Sequence, residues 1–492
     1  MSTAIVWFRQ DLRLADNPAL EAACASAERV VPLFVDDPDV VGGASRIGAA
    51  SRVWLHHSLR SLDASLRERG SRLVCRRGAA LEVLRALAEE SGASRVFWNR
   101  CYDPETVRRD IVIKKALAAL TPRTFDALLL FEPWSVLKKD GTPYKVYTPY
   151  WRAAAARYDE EPEAQRPLPA PTSVPGDEIT RTLAGAGEVD ALGLLPERDW
   201  HGPLIAHWAV GEAAASARLD AFAGSGEAVR AASGNAGTPG GPAVRDYDRA
   251  RDIPAEAGTS RLSPHLHHGE ISPRQVIARL RGERPLASLG EGETTFAKEV
   301  FWREFAYTLL HHFPDTVESP LDRRFEGFPW REDAAALAAW KRGRTGIPIV
   351  DAGMRELYAT GWMHNRVRMI VASFLIKNLL LPWQQGEAWF RDCLVDADLA
   401  SNTMGWQWTA GCGADAAPFF RVFNPVLQGE RFDKAGDYVR RWVPELAALD
   451  AKRIHQPWTL PDAARAALDY PEPLVELKAS RQRALDAFAS VR

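Results

Sequence analysis

Residues 396–408 read Asp-Ala-Asp-Leu-Ala-Ser-Asn-Thr-Met-Gly-Trp-Gln-Trp, the densest chemistry in the chain. Asp396, Asp398 and Asn402 can hydrogen-bond the polar edge of a flat heterocycle. Trp406 and Trp408 add planar faces, one suited to passing electrons and one to stacking a base. An acidic helix N-terminus followed by two core tryptophans would explain the same residues, so this stretch decides nothing alone.

Three other clusters bear on it. Residues 258–264 read Gly-Thr-Ser-Arg-Leu-Ser-Pro. Three hydroxyls, one guanidinium and the free N–H groups of a helix start suit a pyrophosphate, although an ordinary capped helix is the plainer explanation. Phe296, Glu299, Trp302 and Arg303 fall at i, i+3, i+6 and i+7 and share one helix face. Glu299 and Arg303 could equally be an i,i+4 ion pair. Trp362, Asn365 and Met369 fall at i, i+3 and i+7; Asn365 can read a base edge and Arg366 can meet a phosphate. The run His265-Leu266-His267-His268 lacks acidic or cysteine partners at ligand spacing, and no metal is expected.

The elements that must position these residues are of two kinds. Apolar runs at 4–8, 30–35, 72–75 and 95–99 alternate with helical patterns at 18–27, 51–69 and 81–91, which predicts a parallel α/β sheet. No GxGxxG or Walker pattern marks a nucleotide site there. Residues 121–210 are proline-rich and are expected to form an irregular connector on the surface. A helix is expected over 210–224, and a flexible loop over 231–242. From 272 onward helical periodicity dominates, with helices expected over 294–312, 349–360, 363–380 and 385–394. The predicted division is an α/β domain over 1–130, a connector over 131–210 and an all-α domain over 211–492.

At 492 residues the chain exceeds one ordinary core. Its 62 basic and 64 acidic residues exclude a globally basic nucleic-acid binder, so DNA contact would need a local patch. Most of the seventeen tryptophans follow residue 300, which raises the question of electron transfer. The five scattered cysteines have no metal-ligand spacing and read as reduced cytosolic thiols. No signal-peptide pattern or membrane-spanning run is apparent.

Taken in order, the motifs resemble the photolyase/cryptochrome family, and within it the bacterial cyclobutane pyrimidine dimer (CPD) photolyases. They are residues 6–14, 258–264, 301–305, 345–355, 361–369, 396–408 and 423–433. The resemblance implies a Rossmann-like N-terminal domain and an all-α FAD-binding domain. Tyr247 and Thr259, Ser260, Arg261, Leu262 and Ser263 would hold the phosphates and sugar side of FAD. Phe296 stands where the family often has tryptophan. Arg303, Asp396 and Asp398 would flank the flavin, and Asn402 would face its N5. Glu299, Trp302, Asn365, Met369 and Trp408 would hold a flipped dimer. Arg251, Arg366, Arg421, Gln428 and Arg431 would meet the DNA backbone. Trp406, Trp383 and Trp330 would carry electrons from the surface to the flavin.

The implied activity is light-driven CPD repair in damaged DNA by electron transfer from photoexcited reduced FAD. The alternatives are a blue-light photoreceptor of the cryptochrome type or a (6-4) photolyase. Asn365 stands at the CPD-type position. Residues 98–103 lie at the strand end where an antenna chromophore would bind. The helix start at 105–109 points to methenyltetrahydrofolate, with a deazaflavin as the alternative. A cytoplasmic monomer is expected. Residues 229–243 resemble an insertion before Tyr247.

Overall fold

The computed structural model describes residues 2–38, 47–184, 188–224, 244–416 and 420–491. The insertion and loop expected over 229–243 lie outside them. Strands β1 (Thr3–Phe8), β2 (Arg29–Asp36), β3 (Val74–Arg77), β4 (Arg95–Asn99) and β5 (Arg123–Phe125) form one parallel sheet, ordered β3-β2-β1-β4-β5. Ile5 registers against Val31 on one side and Val96 on the other. Both faces are packed: Ile5, Trp7, Leu33 and Trp98 enter one core, and Val6, Phe8, Phe34 and Phe97 another. This is why the strands read as continuous apolar runs and not as alternation.

Helices α1 (Pro18–Ser26), α2 (Ala49–Arg67), α3 (Ala80–Ser91) and α4 (Pro104–Ala116) alternate with the strands. Asn17 caps α1 by accepting from Leu20 N–H, and Pro18 occupies the first turn. The order reverses about β1, the usual crevice position in such sheets. Here polar side chains fill it: the Asn99 amide donates to Asp11 at 2.6 Å and to Asn17 at 2.8 Å.

Three expectations change. Strand β3 starts at Val74, two residues later than expected, and β5 has only three residues, too few to show a period. Residues 121–210 are not an irregular surface strap. Residues 127–131 are each at most 4% exposed, and α5 (Tyr147–Glu160) buries Tyr150, Ala154 and Tyr158. A loop can be buried only if its amides are bonded. Here Glu304 accepts from Leu130 N–H at 2.9 Å and Phe131 N–H at 3.2 Å. The prolines between 162 and 175 dominated the composition and hid these flanks. Finally, the helix expected over 363–380 is α-helical only at Asn365–Ser373 and continues as a π-turn, Phe374–Asn378.

The sheet docks on the helical part through buried polar contacts. Arg13 donates to the carbonyls of Gly269 (3.0 Å) and Ala127 (2.8 Å), while Arg274 pairs with Asp16 and Asp126. Gly269 has φ +70°, and a Cβ there would sit 1.9 Å from the Gln10 carbonyl oxygen, so only glycine lets the chains approach. The histidine run serves this seam. His265 pairs with Glu270, and His268 stacks on Trp54 and meets the Val395 carbonyl at 3.2 Å. His267 alone faces the site cavity.

Candidate active site

Four helices enclose a cavity of about 690 Å³: α6 (Ser263–His268), α7 (Glu291–His312), α8 (Asn365–Ser373) and α10 (Leu399–Ala410). That is the size of a cofactor site. The wall takes in Tyr247, Arg251, Thr259, Ser260, Arg261, Leu262, Ser263 and Phe296. It also takes in Glu299, Trp302, Arg303, Asn365, Arg366 and Met369, and Asp396, Asp398, Asn402, Trp406, Trp408 and Arg421. Residues far apart in sequence thus converge on one space.

One lobe is polar. Asp398 caps α10 by accepting from Ser401 N–H at 2.8 Å and accepts from the Tyr307 hydroxyl at 2.5 Å. Burial alone would raise its pKa, but the charge of Arg303 and the hydrogen bonds from Tyr307 and Ser401 hold it below the usual carboxylate range. Asp396 receives Arg368 Nη2 at 2.8 Å. Arg303 donates to the Leu128 carbonyl at 2.7 Å and lies over the Tyr307 ring. Asn402 spends its amide N–H on Glu387 Oε1 at 2.9 Å, which fixes how the amide faces the cavity.

Two buried nitrogens in this wall have no hydrogen-bond partner among the described residues: Arg261 Nε and His267 Nδ1. Arg261 is clamped between Trp208 and Trp362, 4.4 and 4.7 Å from the ring centres. Burial pushes the His267 pKa down, favouring a neutral imidazole. Orphaned buried polar atoms beside three hydroxyls and two carboxylates fit a large polar cofactor carrying phosphate.

The second lobe is aromatic. Trp302 stacks on Tyr147 at 3.6 Å and 10° between planes, so one indole face is held and the ring cannot swing. Glu299 does not pair with Arg303; its partner is Arg251, at 2.5 Å. Arg303 turns inward to the carbonyl of Leu128, which rules out the alternative reading of an i,i+4 pair. At the rim, Arg366 pairs with Asp252 at 2.8 Å, and Phe432 lies between the guanidiniums of Arg366 and Arg431. Gln428 and Arg431 belong to helix α11 (Pro425–Phe432), outside the cavity wall.

The three tryptophans share one core with Trp340. Trp406 is 2% exposed and lies against Phe390 at 4.9 Å. Trp383 opens α9 (Trp383–Cys393) and is 2% exposed, whereas Trp330 is partly exposed and packs on Phe328 at 4.4 Å. The sequence reading missed Tyr147, Arg368, Glu387 and Lys377. Arg368 stood within the 361–369 motif but had no assigned role; Tyr147, Glu387 and Lys377 lie outside every motif and reach the site only because the chain folds back on itself. His267 was noticed only as a possible metal ligand.

A parallel α/β sheet docked on a helical body with a polar-and-aromatic cofactor cavity defines the class. The family model described as DNA photolyase matches residues 4–172, and that described as FAD binding domain of DNA photolyase matches residues 296–490. The chain is 46% identical to a deoxyribodipyrimidine photo-lyase of Agrobacterium fabrum, over 99% of this chain and 98% of that protein. It is 37% identical to cryptochrome-1 of Arabidopsis thaliana, over 99% of this chain and 70% of that protein. It superposes on the crystal structure of a bacterial class III photolyase from Agrobacterium tumefaciens with a TM-score of 0.89, at 45% identity, covering 100% of this chain and 98% of that one. The chain belongs to the photolyase/cryptochrome family, and its helical part is an FAD-binding domain of the photolyase type.

Proposed function

We propose that this chain is a light-driven DNA repair enzyme, a deoxyribodipyrimidine photo-lyase that splits cyclobutane pyrimidine dimers. The observation that carries the reading is the joining of two lobes in one cavity. A polar lobe fits FAD, and an aromatic lobe of Glu299, Trp302, Asn365, Met369 and Trp408 opens beside it. The full-length likeness to photo-lyases supports it. FAD, when bound, supplies the light-driven one-electron chemistry that opens the cyclobutane ring, and the electron returns at the end.

The protein's share is binding, orientation and exclusion of water. Trp302, held by Tyr147, and Trp408 sandwich the flipped dimer, while Glu299 and Asn365 bond its polar edges. Thr259, Ser260, Arg261 and Ser263 would hold the phosphate side of the cofactor, and Tyr247, Leu262 and Phe296 line the same cavity. Arg303, Asp396 and Asp398 would set the charge around the bound ring system, and Asn402, its amide fixed by Glu387, would hydrogen-bond the ring's polar edge. Arg251, Arg366, Arg421, Gln428 and Arg431 meet the DNA backbone. Trp406, Trp383 and Trp330 form the electron path to the surface. Substituting Arg366→Ala should lower the salt slope of DNA binding by about one unit. Titrating Kd against salt checks this, and an unchanged slope removes Arg366 from the backbone contacts.

The division at residues 130 and 210, a monomeric state and a cytoplasmic location belong to the same reading. No described helix is long and apolar enough to cross a membrane. For the antenna we favour methenyltetrahydrofolate over a deazaflavin, near the turn between β4 and α4. There Arg9 and Arg109 both lie over the Trp7 ring, 4.6 and 4.8 Å from its centre.

Repair itself is the deciding experiment. Chemically reduced protein is mixed with a CPD oligonucleotide or a (6-4) oligonucleotide, in light and in darkness, and restored thymines are counted by chromatography. Light-dependent recovery from the CPD substrate alone is expected. Recovery from neither, with FAD bound and photoreducible, would favour a signalling photoreceptor. Recovery from the (6-4) substrate alone would move the enzyme to that class.

A further inference from the structure

Lys377 is 4% exposed, yet it lines the site cavity. It lies in the π-turn Phe374–Asn378 that continues α8. A π-turn shifts the helical register, and such turns recur at functional sites. The Lys377 ammonium donates to the carbonyl oxygen of Arg421 and lies 4.4 Å from the centre of the Phe420 ring. Phe420 in turn stacks on Phe488 of helix α12 (Leu477–Ala489) at 4.4 Å and 5° between planes. Two residues on from Arg421, the Phe423 N–H donates to Ser373 Oγ at 3.4 Å. The segment 420–423 is therefore held from both sides by the end of α8 and its π-turn.

The titratable groups facing Lys377 from the described elements are Cys412 and Arg421, a thiol and a second cation. No described carboxylate pairs with it. A buried ammonium without a counter-ion is costly. Here it sits in the wall of a site whose ligand is a polyanion, and it holds the backbone of the exposed Arg421.

We propose that Lys377 is a positioning residue for the damaged strand: its buried Nζ donates to the Arg421 carbonyl, so that the Arg421 guanidinium meets the DNA backbone, and the incoming phosphate offsets the like charge of Arg421 and thereby favours the protonated Lys377. The proposal rests on the reading of Arg421 as a DNA contact. Burial, helped by the like charge of Arg421, pushes Lys377 down to about 7, with Cys412 opposing. The free protein therefore carries Lys377 largely neutral above neutrality, and DNA binding draws a proton onto it.

The test uses the FAD-loaded protein and a CPD-containing duplex. Calorimetric titrations at about pH 8, in two buffers of different ionisation enthalpy, count protons taken up on binding. The wild type should take up close to one proton, and Kd should weaken as the pH rises through 7 to 8. Lys377→Met should take up none, show a flat pH profile and bind about tenfold more weakly near pH 6.5, with unchanged FAD content. Lys377→Arg should restore affinity without the pH dependence.

Absence of proton uptake by the wild type overturns the proposal and needs no variant to fold. Weakening of Lys377→Met by the same factor at every pH, with uptake retained, overturns it too, since that is a purely structural effect. Arg421→Ala separates the two readings. If it leaves Kd and salt slope unchanged, the DNA reading of Arg421 is wrong. If it weakens binding while Lys377→Met matches the wild type, only the Lys377 assignment falls.

Discussion

Replacing Trp383 by phenylalanine is expected to stop photoreduction of the bound oxidised flavin while repair by chemically reduced protein continues. The expectation rests on how the path is built. Trp406 lines the cavity, and Gly386 of α9 is pressed against its far edge, where a Cβ would lie 2.1 Å from the Trp406 ring. Trp383 sits one turn earlier on the same helix, fully enclosed, with no route to solvent of its own. The Arg331 N–H donates to the Leu380 carbonyl at 2.8 Å, which ties the segment of Trp330 to the turn preceding Trp383.

In the proposed path the middle member connects an enclosed indole to a partly exposed one, and a phenyl ring is much harder to oxidise than an indole. The photoreduction rate should fall by far more than about tenfold, the effect of a rise of roughly 1.4 kcal/mol in one barrier. Trimming one buried aromatic should cost about 1–3 kcal/mol of stability, which leaves the fold intact. Flash spectroscopy of the oxidised protein and a repair assay of the reduced protein separate the two functions. Loss of both would contradict the electron path, and retention of photoreduction would show that Trp383 is bypassed.

Asp398→Ala should be the most damaging single change in the polar lobe. Asp398 caps α10, accepts the Tyr307 hydroxyl and attracts the half-buried Arg303 electrostatically. Removing it takes the cap from α10, leaves the buried Tyr307 hydroxyl without its acceptor and removes one of the charges that attract Arg303, which together should cost about 2–4 kcal/mol. FAD content should fall along with unfolding stability in urea. Asp398→Asn keeps a competent cap and loses only the charge, so it should cost less, roughly 1.5–3 kcal/mol.

The acid dependence follows from the sign of the shift. The folded-state pKa lies below the ordinary value, so the carboxylate adds stability above the unfolded pKa and loses it as pH falls through the folded one. The gap between wild type and Asp398→Asn should therefore close only in acid, below about pH 3.9. Equal stability of all three proteins at neutral pH would mean that neither the cap nor the charge of Asp398 contributes to stability.

Much of this molecule is legible in order along the chain. The buried strands show themselves because a parallel sheet covered on both faces needs unbroken apolar runs, as at 4–8 and 95–99. The site motifs are legible because each brings its chemistry within a few residues: hydroxyls and a guanidinium at 259–263, carboxylates and indoles at 396–408. The helix face of Phe296, Glu299, Trp302 and Arg303 is legible from period alone, and all four reach one cavity.

Pairing between segments was not legible. Glu299 has an ideal partner four residues away, yet tertiary packing draws Arg303 to Leu128 and gives Glu299 to Arg251. The loop 127–131 is buried only because Glu304, far along the chain, satisfies its amides. Tyr147 becomes part of the site by stacking on Trp302, and Lys377 by a π-turn that no periodicity announces. Local sequence determined the elements and the inventory of reactive groups, because propensity and burial pattern act over a few residues. Which charge meets which, and which ring lies on which, was decided by the tertiary structure, because those energies depend on distance in space and not on separation along the chain.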